Sequence, residues 1–270
     1  MSYNDFTYPR DREATGFEPV GEGLKVNPQG KVALVTAGAR RLGRAVVLKL
    51  AERGARVVIH YYHSAEDAAA TAAEVERLGG EARLVCGDLS QVEQAERIVS
   101  EAIAAWGRLD ILVNNAAVFF QTPPGQVSEE QWDRLFDVNL KGAYFSTQQA
   151  AAEMRRNDGG VIVNFVDTGI YITWKGYTPY LITKAGVEQM TYGLAKELAP
   201  DIRVNAVALG PVLLPDDHSA EEAKKFAAAT LLQRLGGRDA LAEAVLYLIE
   251  ADFVTGVVLP VDGGQRWYGQ

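Results

Sequence analysis

From Lys31 onward the chain alternates short apolar runs with longer stretches of helical period, and nothing else in it restricts the fold as strongly. The apolar runs are Val32–Val35, Val57–Tyr61, Ala82–Cys86, Ile111–Val113, Val161–Phe165, Arg203–Ala208 and Val257–Val261. Between them lie the helical stretches Arg44–Arg53, Ala65–Leu78, Gln91–Trp106, Ser128–Arg156, Tyr180–Leu198 and Asp239–Glu250. Runs this short and apolar read as strands buried on both faces. Strand, crossover helix and strand close as right-handed parallel units, so the expected fold is a doubly wound parallel α/β sheet. Residues 31–270 show no internal boundary and are expected to form a single domain.

Residues 1–30 follow no such period. They carry Pro9, Pro19 and Pro28 among mixed charges and read as a tail or arm, with Phe6, Tyr8 and Phe17 available to pack on a neighbouring subunit.

Charge narrows the partners. A formal net charge of −8 argues against nucleic acid or an anionic membrane surface, which leaves small molecules. Cys86 is the single cysteine, so no internal disulfide is possible and a reducing compartment fits. No apolar run is long enough to span a bilayer and no leader opens the chain, so a cytoplasmic location is expected. No metal ion is expected.

The candidate chemistry sits in the stretch Val161–Lys184. Asp167 ends the strand, and Tyr180 and Lys184 open the next helix four residues apart. Residues at that spacing share a helix face, so an ammonium at 184 beside a phenol at 180 is expected to lower the phenol pKa. The phenol then becomes a proton donor near neutral pH. A tyrosine and a lysine so spaced are common; Asp167, thirteen residues before Tyr180 (180 − 167 = 13), makes the pair informative. Three polar groups are expected to converge on one cleft.

On these residues the chain resembles the short-chain dehydrogenases/reductases, which have a Rossmann-like fold and an active-site Tyr-x-x-x-Lys with a serine at the position of Asp167. An aspartate there resembles the pteridine reductases. The resemblance covers residues 31 to 264 and includes Asn114-Asn115-Ala116-Ala117, Arg203-Val204-Asn205, and Val261-Asp262-Gly263-Gly264. It implies catalytic roles for Asp167, Tyr180, Lys184 and Asn139, the last holding a water beside the lysine.

The first strand-to-helix turn, Thr36 to Arg44, is similar to the family's Thr-Gly-x-x-x-Gly-x-Gly. Gly43 matches the last glycine, while Ala37 and Arg41 stand at the other two, and Gly38 is expected to take the unusual backbone angles in place of Ala37. Two arginines at the positive end of a helix suit an anion. Pteridine reductases also carry an arginine followed by Leu-Gly, as in Arg41, Leu42 and Gly43, so Arg41 is expected to face cofactor phosphate and substrate; Arg40 reads as solvated.

The second strand ends in His60-Tyr61-Tyr62-His63-Ser64, with no acid to bind a ribose hydroxyl pair. His60, His63 and Ser64 are expected to hold a 2′-phosphate, which makes NADPH the expected cofactor, while Tyr61 reads as packing. Asp88 has two compatible readings, a helix cap and, by resemblance, an adenine contact. The resemblance also assigns cofactor contacts to Asn115, Ala116, Gly210 and Val212, and a pterin-stacking role to Phe119; Phe120 reads as core. Leu213 to Thr230 stands at the position of the family's substrate-covering segment and reads equally as a plain surface excursion. Ala117 and Leu209 depart from the pattern.

A carboxylate cannot donate a hydrogen bond to a ketone oxygen as a serine does, but it accepts from ring N–H groups, so the acid points to C=N reduction. The implied activity is NADPH-dependent reduction of a dihydropterin, or also dihydrofolate, in a homotetramer. A carbonyl or 3-oxoacyl thioester reductase and a non-catalytic NADP(H)-binding sensor are the alternatives.

Overall fold

The computed structural model describes residues 26–214 and 219–268. Phe6, Tyr8 and Phe17, and the Pro-Asp-Asp-His turn at 215–218, lie outside the described residues.

Seven strands form one parallel sheet in the order β3-β2-β1-β4-β5-β6-β7. They are β1 (Val32–Val35), β2 (Arg56–Tyr61), β3 (Glu81–Cys86), β4 (Ile111–Asn114), β5 (Gly160–Asp167), β6 (Ile202–Leu209) and β7 (Val258–Val261). Their side chains alternate between two cores. Ala33, Val35, Val57, Ile59, Ile111 and Val113 point to one face, where α1 (Arg41–Glu52), α2 (Ala65–Arg77) and α9 (Gly237–Glu250) cover them. Val32, Leu34, Val58, Leu112 and Ile162 point to the other, against α3 (Val92–Trp106), α5 (Gly142–Met154) and α7 (Thr178–Leu198). Each buried valine, leucine or isoleucine among them contributes about 1.5–3 kcal/mol. This is the Rossmann-like doubly wound fold.

The strand order reverses between β1 and β4, so the loops that leave their carboxyl ends diverge and open a crevice.

The packed region begins before Lys31. Val26 is buried in the first core, and the Gly30 amide donates to Gly54 O at 2.8 Å.

The stretch Ser128–Arg156, expected as one helix, is three. Ser128 and Gln131 form a capping box that starts α4 (Glu129–Phe136), a π turn covers Asp137–Lys141, and α5 follows. The wide turn is imposed from outside the helix: Asn139 is drawn to the loop after β4, where its side chain bonds both polar groups of Val118. Beyond β6, Ser219 and Glu222 cap α8 (Ala220–Ala228) in the same reciprocal way.

Candidate active site

Asp167, Tyr180 and Lys184 do meet. Asp167 is the last residue of β5, and its Oδ2 accepts from the Tyr180 hydroxyl at 3.1 Å. Its Oδ1 accepts from Gly169 N at 2.8 Å, which fixes the carboxylate plane and starts the short helix α6 (Gly169–Ile172). Tyr180 and Lys184, on the first turns of α7, are only 5% and 4% exposed. The Lys184 ammonium donates to Phe165 O at 2.9 Å and lies 5.8 Å from the centroid of the Tyr180 ring.

This geometry corrects the expected electrostatics. Burial, together with the carboxylate of Asp167, pushes the Tyr180 phenol well above its usual pKa instead of lowering it. Burial pulls Lys184 down to about 8, and the same burial raises the Asp167 carboxyl. The i,i+4 spacing brought lysine and tyrosine to one face, but the lysine head turns to a backbone carbonyl and the acid takes the hydroxyl. Tyr180 therefore keeps its proton through the neutral range.

Asn139 is 2% exposed, with Oδ1 accepting from Val118 N at 2.7 Å and Nδ2 donating to Val118 O at 3.0 Å and Thr183 Oγ1 at 3.3 Å. It ties the loop after β4 to α7. Its side chain is thus committed to protein, and any water it holds falls to its main-chain carbonyl.

An aromatic wall borders Tyr180. Phe119, 49% exposed, stacks on Tyr177 at 4.6 Å with the planes 4° apart, and meets Tyr180 edge-on at 4.8 Å. Trp174 stands edge-on to both Phe119 and Tyr177. Gly169 makes room for it, since a β-carbon there would come within 3.0 Å of the indole. Thr173, with φ 51°, swings the chain so that Trp174 turns inward, and two bonds from Thr122 to Gly176 O hold the loop. Phe120 packs with Leu135 and Leu181, as a core residue would.

Across the crevice, the turn before α1 holds its strained angles at the two positions where glycine was missing. Ala37 has φ 50° and Arg41 has φ 51°, so Gly38 does not relieve Ala37 as expected. Gly43 is irreplaceable on distance: a β-carbon would stand 2.3 Å from Ala37 O and 2.7 Å from Asn115 Nδ2. Thr36 Oγ1 accepts from the amides of Asn115 and Ala116, each at 2.9 Å, while Asn115 Nδ2 donates to Thr36 O and Ala37 O. The first turn of α1 carries no acid, and Arg40 and Arg41 flank it, which fits an anionic pyrophosphate. Arg41 reaches across to Leu214 O at 3.0 Å, at the start of the segment that leads to α8, and Leu42 packs on the core.

Around the end of β2 the expectation for His60 fails. The ring is 3% exposed, and both nitrogens are used inside the protein, Nδ1 by Ala37 N at 3.0 Å and Nε2 by Gly87 O at 3.0 Å. Burial pulls its pKa down to about 4, so it carries no charge to offer a phosphate. His63, its ring 3.7 Å from that of Tyr62 and tilted by 40°, and Ser64, at the start of α2, remain at the rim. Arg40, which read as solvated, lies 3.5 Å from Asp67 in the first turn of α2, beside that same rim. Asp88 is not the cap of α3, which starts after Gln91; its Oδ1 accepts from Ser90 N at 2.9 Å and closes a turn instead. Gly210 and Val212 leave β6 toward the crevice; Gly210 bonds Val261 O at 3.0 Å and presses against Asp262, where a β-carbon would meet Cα at 2.5 Å.

A sequence model described as enoyl-(acyl carrier protein) reductase matches residues 37–266. An uncharacterized oxidoreductase of Methylorubrum extorquens is 37% identical over 88% of this chain and 98% of its own length. The 3-oxoacyl-[acyl-carrier-protein] reductase FabG of Staphylococcus aureus is 33% identical over 87% of this chain and 97% of its own. A short-chain dehydrogenase/reductase from Serratia marcescens superimposes with a TM-score of 0.84 at 34% identity, covering 89% of this chain and all of that one. The chain belongs to the short-chain dehydrogenase/reductase family.

As a short-chain dehydrogenase/reductase it is an oxidoreductase that works with a nicotinamide dinucleotide on a small-molecule substrate. Among the described residues no helix is long and apolar enough to cross a membrane, and no cluster of acidic, histidine or cysteine side chains could hold a metal ion. Sequence reasoning passed over Thr36, Trp174 and Tyr177. The signal for Thr36 was its place at the head of the turn; for the two aromatics it was their position between Asp167 and Tyr180.

Proposed function

We propose that this short-chain dehydrogenase/reductase is an NADPH-dependent pteridine reductase, converting a dihydropterin, and by extension dihydrofolate, to the tetrahydro form. The observation that carries the reading is the half-buried carboxylate of Asp167 accepting from Tyr180 at 3.1 Å. A carboxylate there repels the oxyanion that a ketone develops, whereas a pterin presents N–H donors to it. The exposed face of Phe119 offers a flat ring a stacking surface beside the hydroxyl.

In this reading the turn from Thr36 to Gly43 and the start of α1 hold the pyrophosphate, with Arg41 beside it. Asp88 lies beside the adenine, and Asn115, Ala116, Gly210 and Val212 line the nicotinamide side. The lack of an acid at the end of β2 supports NADPH, with Arg40, His63 and Ser64 as the groups that meet the 2′-phosphate. When bound, the reduced dinucleotide supplies the hydride. Tyr180 gives its proton to the ring nitrogen, so one hydride and one proton together saturate a C=N bond. Lys184 exchanges Phe165 O for the nicotinamide ribose, and Asp167, its pKa raised by burial, takes up a proton from solvent and relays it to Tyr180 once the phenol has given up its own. The apolar groove between α5 and α7, lined by Leu140, Tyr144, Phe145, Met190 and Leu194, is where a second copy would pack in a homotetramer.

The test is NADPH oxidation by the purified protein with 7,8-dihydrobiopterin, with NADH and an acetoacetyl thioester in parallel. Turnover with dihydropterin and NADPH is the expected result. Turnover of the thioester alone would favour the second reading, a 3-oxoacyl thioester reductase like the Staphylococcus aureus relative. Tight NADPH binding without turnover of either would favour a cofactor-binding sensor.

A further inference from the structure

His60 makes an unusual set of bonds for a strand residue. The Ala37 amide donates to its Nδ1 at 3.0 Å, and the next amide, Gly38 N, donates to its carbonyl at 2.9 Å. One residue thus pins two consecutive amides of the turn that opens α1. Because Nδ1 accepts, the ring proton sits on Nε2 and is donated to Gly87 O at 3.0 Å, in the loop after β3. The ring spans two loops that border the cofactor crevice without facing it.

The pinned residue is one of the two strained ones in this turn. Ala37 holds φ 50°, a conformation in which its β-carbon crowds the following carbonyl. The alanine cannot sit at position 38 instead: a β-carbon there would meet Val35 O and Val47 Cγ2, each at 3.0 Å. The alanine and glycine are therefore fixed in this order, and something must hold the alanine in place.

We propose that His60 is a positioning residue for the pyrophosphate-binding turn, holding Ala37 in the left-handed conformation that a glycine would adopt unaided. A neutral imidazole suits the task because it accepts at one nitrogen and donates at the other. An apolar residue would take away the acceptor of the Ala37 amide and the donor to the buried Gly87 carbonyl. The turn serves the pyrophosphate, which NADH and NADPH share, so its loss of shape weakens both alike. A ligand of the 2′-phosphate would affect NADPH alone.

Fluorescence titration of H60A, H60N and the double variant H60A/A37G with NADPH and with NADH tests this without any substrate. H60A is expected to weaken both cofactors by about tenfold and to leave their ratio unchanged. A37G in the H60A background is expected to restore most of the affinity, since glycine needs no support at φ 50°. H60N keeps an acceptor near the position of Nδ1 and is expected to bind within about threefold of the parent. Unchanged affinity in H60A, a loss confined to NADPH, or a folded double variant that stays as weak as H60A would each overturn the proposal. Should H60A fail to fold, H60N decides alone: retained affinity supports the role of the Ala37 amide, and a loss as large as tenfold refutes it.

Discussion

Tyr180→Phe is expected to reduce turnover by about a thousandfold or more, the scale of a lost general acid at a committed site. Cofactor affinity should stay within about twofold, because the deleted hydroxyl faces Asp167 and the ring, with its edge contact to Phe119, remains. The two readouts separate the possibilities. A loss of NADPH binding in step with turnover would mean that the phenol braces the fold of the cleft. Retention of a tenth or more of the activity would place the proton donor elsewhere.

Asp167→Ser should cost dihydropterin turnover about a hundredfold while NADPH affinity holds, and should raise activity toward an acetoacetyl thioester. The serine converts an acceptor beside Tyr180 into a donor, which suits a developing oxyanion and not a ring N–H. Asp167→Asn is the control, since its amide oxygen can still accept from Gly169 N as Oδ1 does now. If the asparagine variant keeps full pterin turnover, the carboxylate takes no part in proton transfer. If the serine variant loses cofactor binding and turnover equally, Asp167 serves only to shape the loop.

The parallel sheet was legible because its strands are buried on both faces and so appear as unbroken apolar runs; Val32–Val35 has the same limits in sequence and structure. The convergence of Asp167, Tyr180 and Lys184 was legible because Tyr180 and Lys184 are local to one helix and Asp167 closes the strand before it. What failed to read out depends on contacts distant in sequence. Nothing in Asp137–Lys141 announces a wide turn, for its cause is the peptide of Val118. His60 looked like a phosphate ligand because its partners, Ala37 and Gly87, are 23 and 27 residues away. The pKa of Tyr180 was misjudged for the same reason: spacing sets which groups are neighbours, while the Phe165 carbonyl decides where the ammonium points.

The aromatic wall has an optical consequence. Of the four tryptophans, Trp106 carries Arg83, Trp132 stacks on Phe136 and Trp267 carries Arg266, whereas Trp174 stands edge-on to the ring that borders Tyr180. Indole emission overlaps the absorption band of a reduced nicotinamide. Excitation of Trp174 can therefore pass to a cofactor in the crevice, and the protein carries its own unlabelled reporter of occupancy.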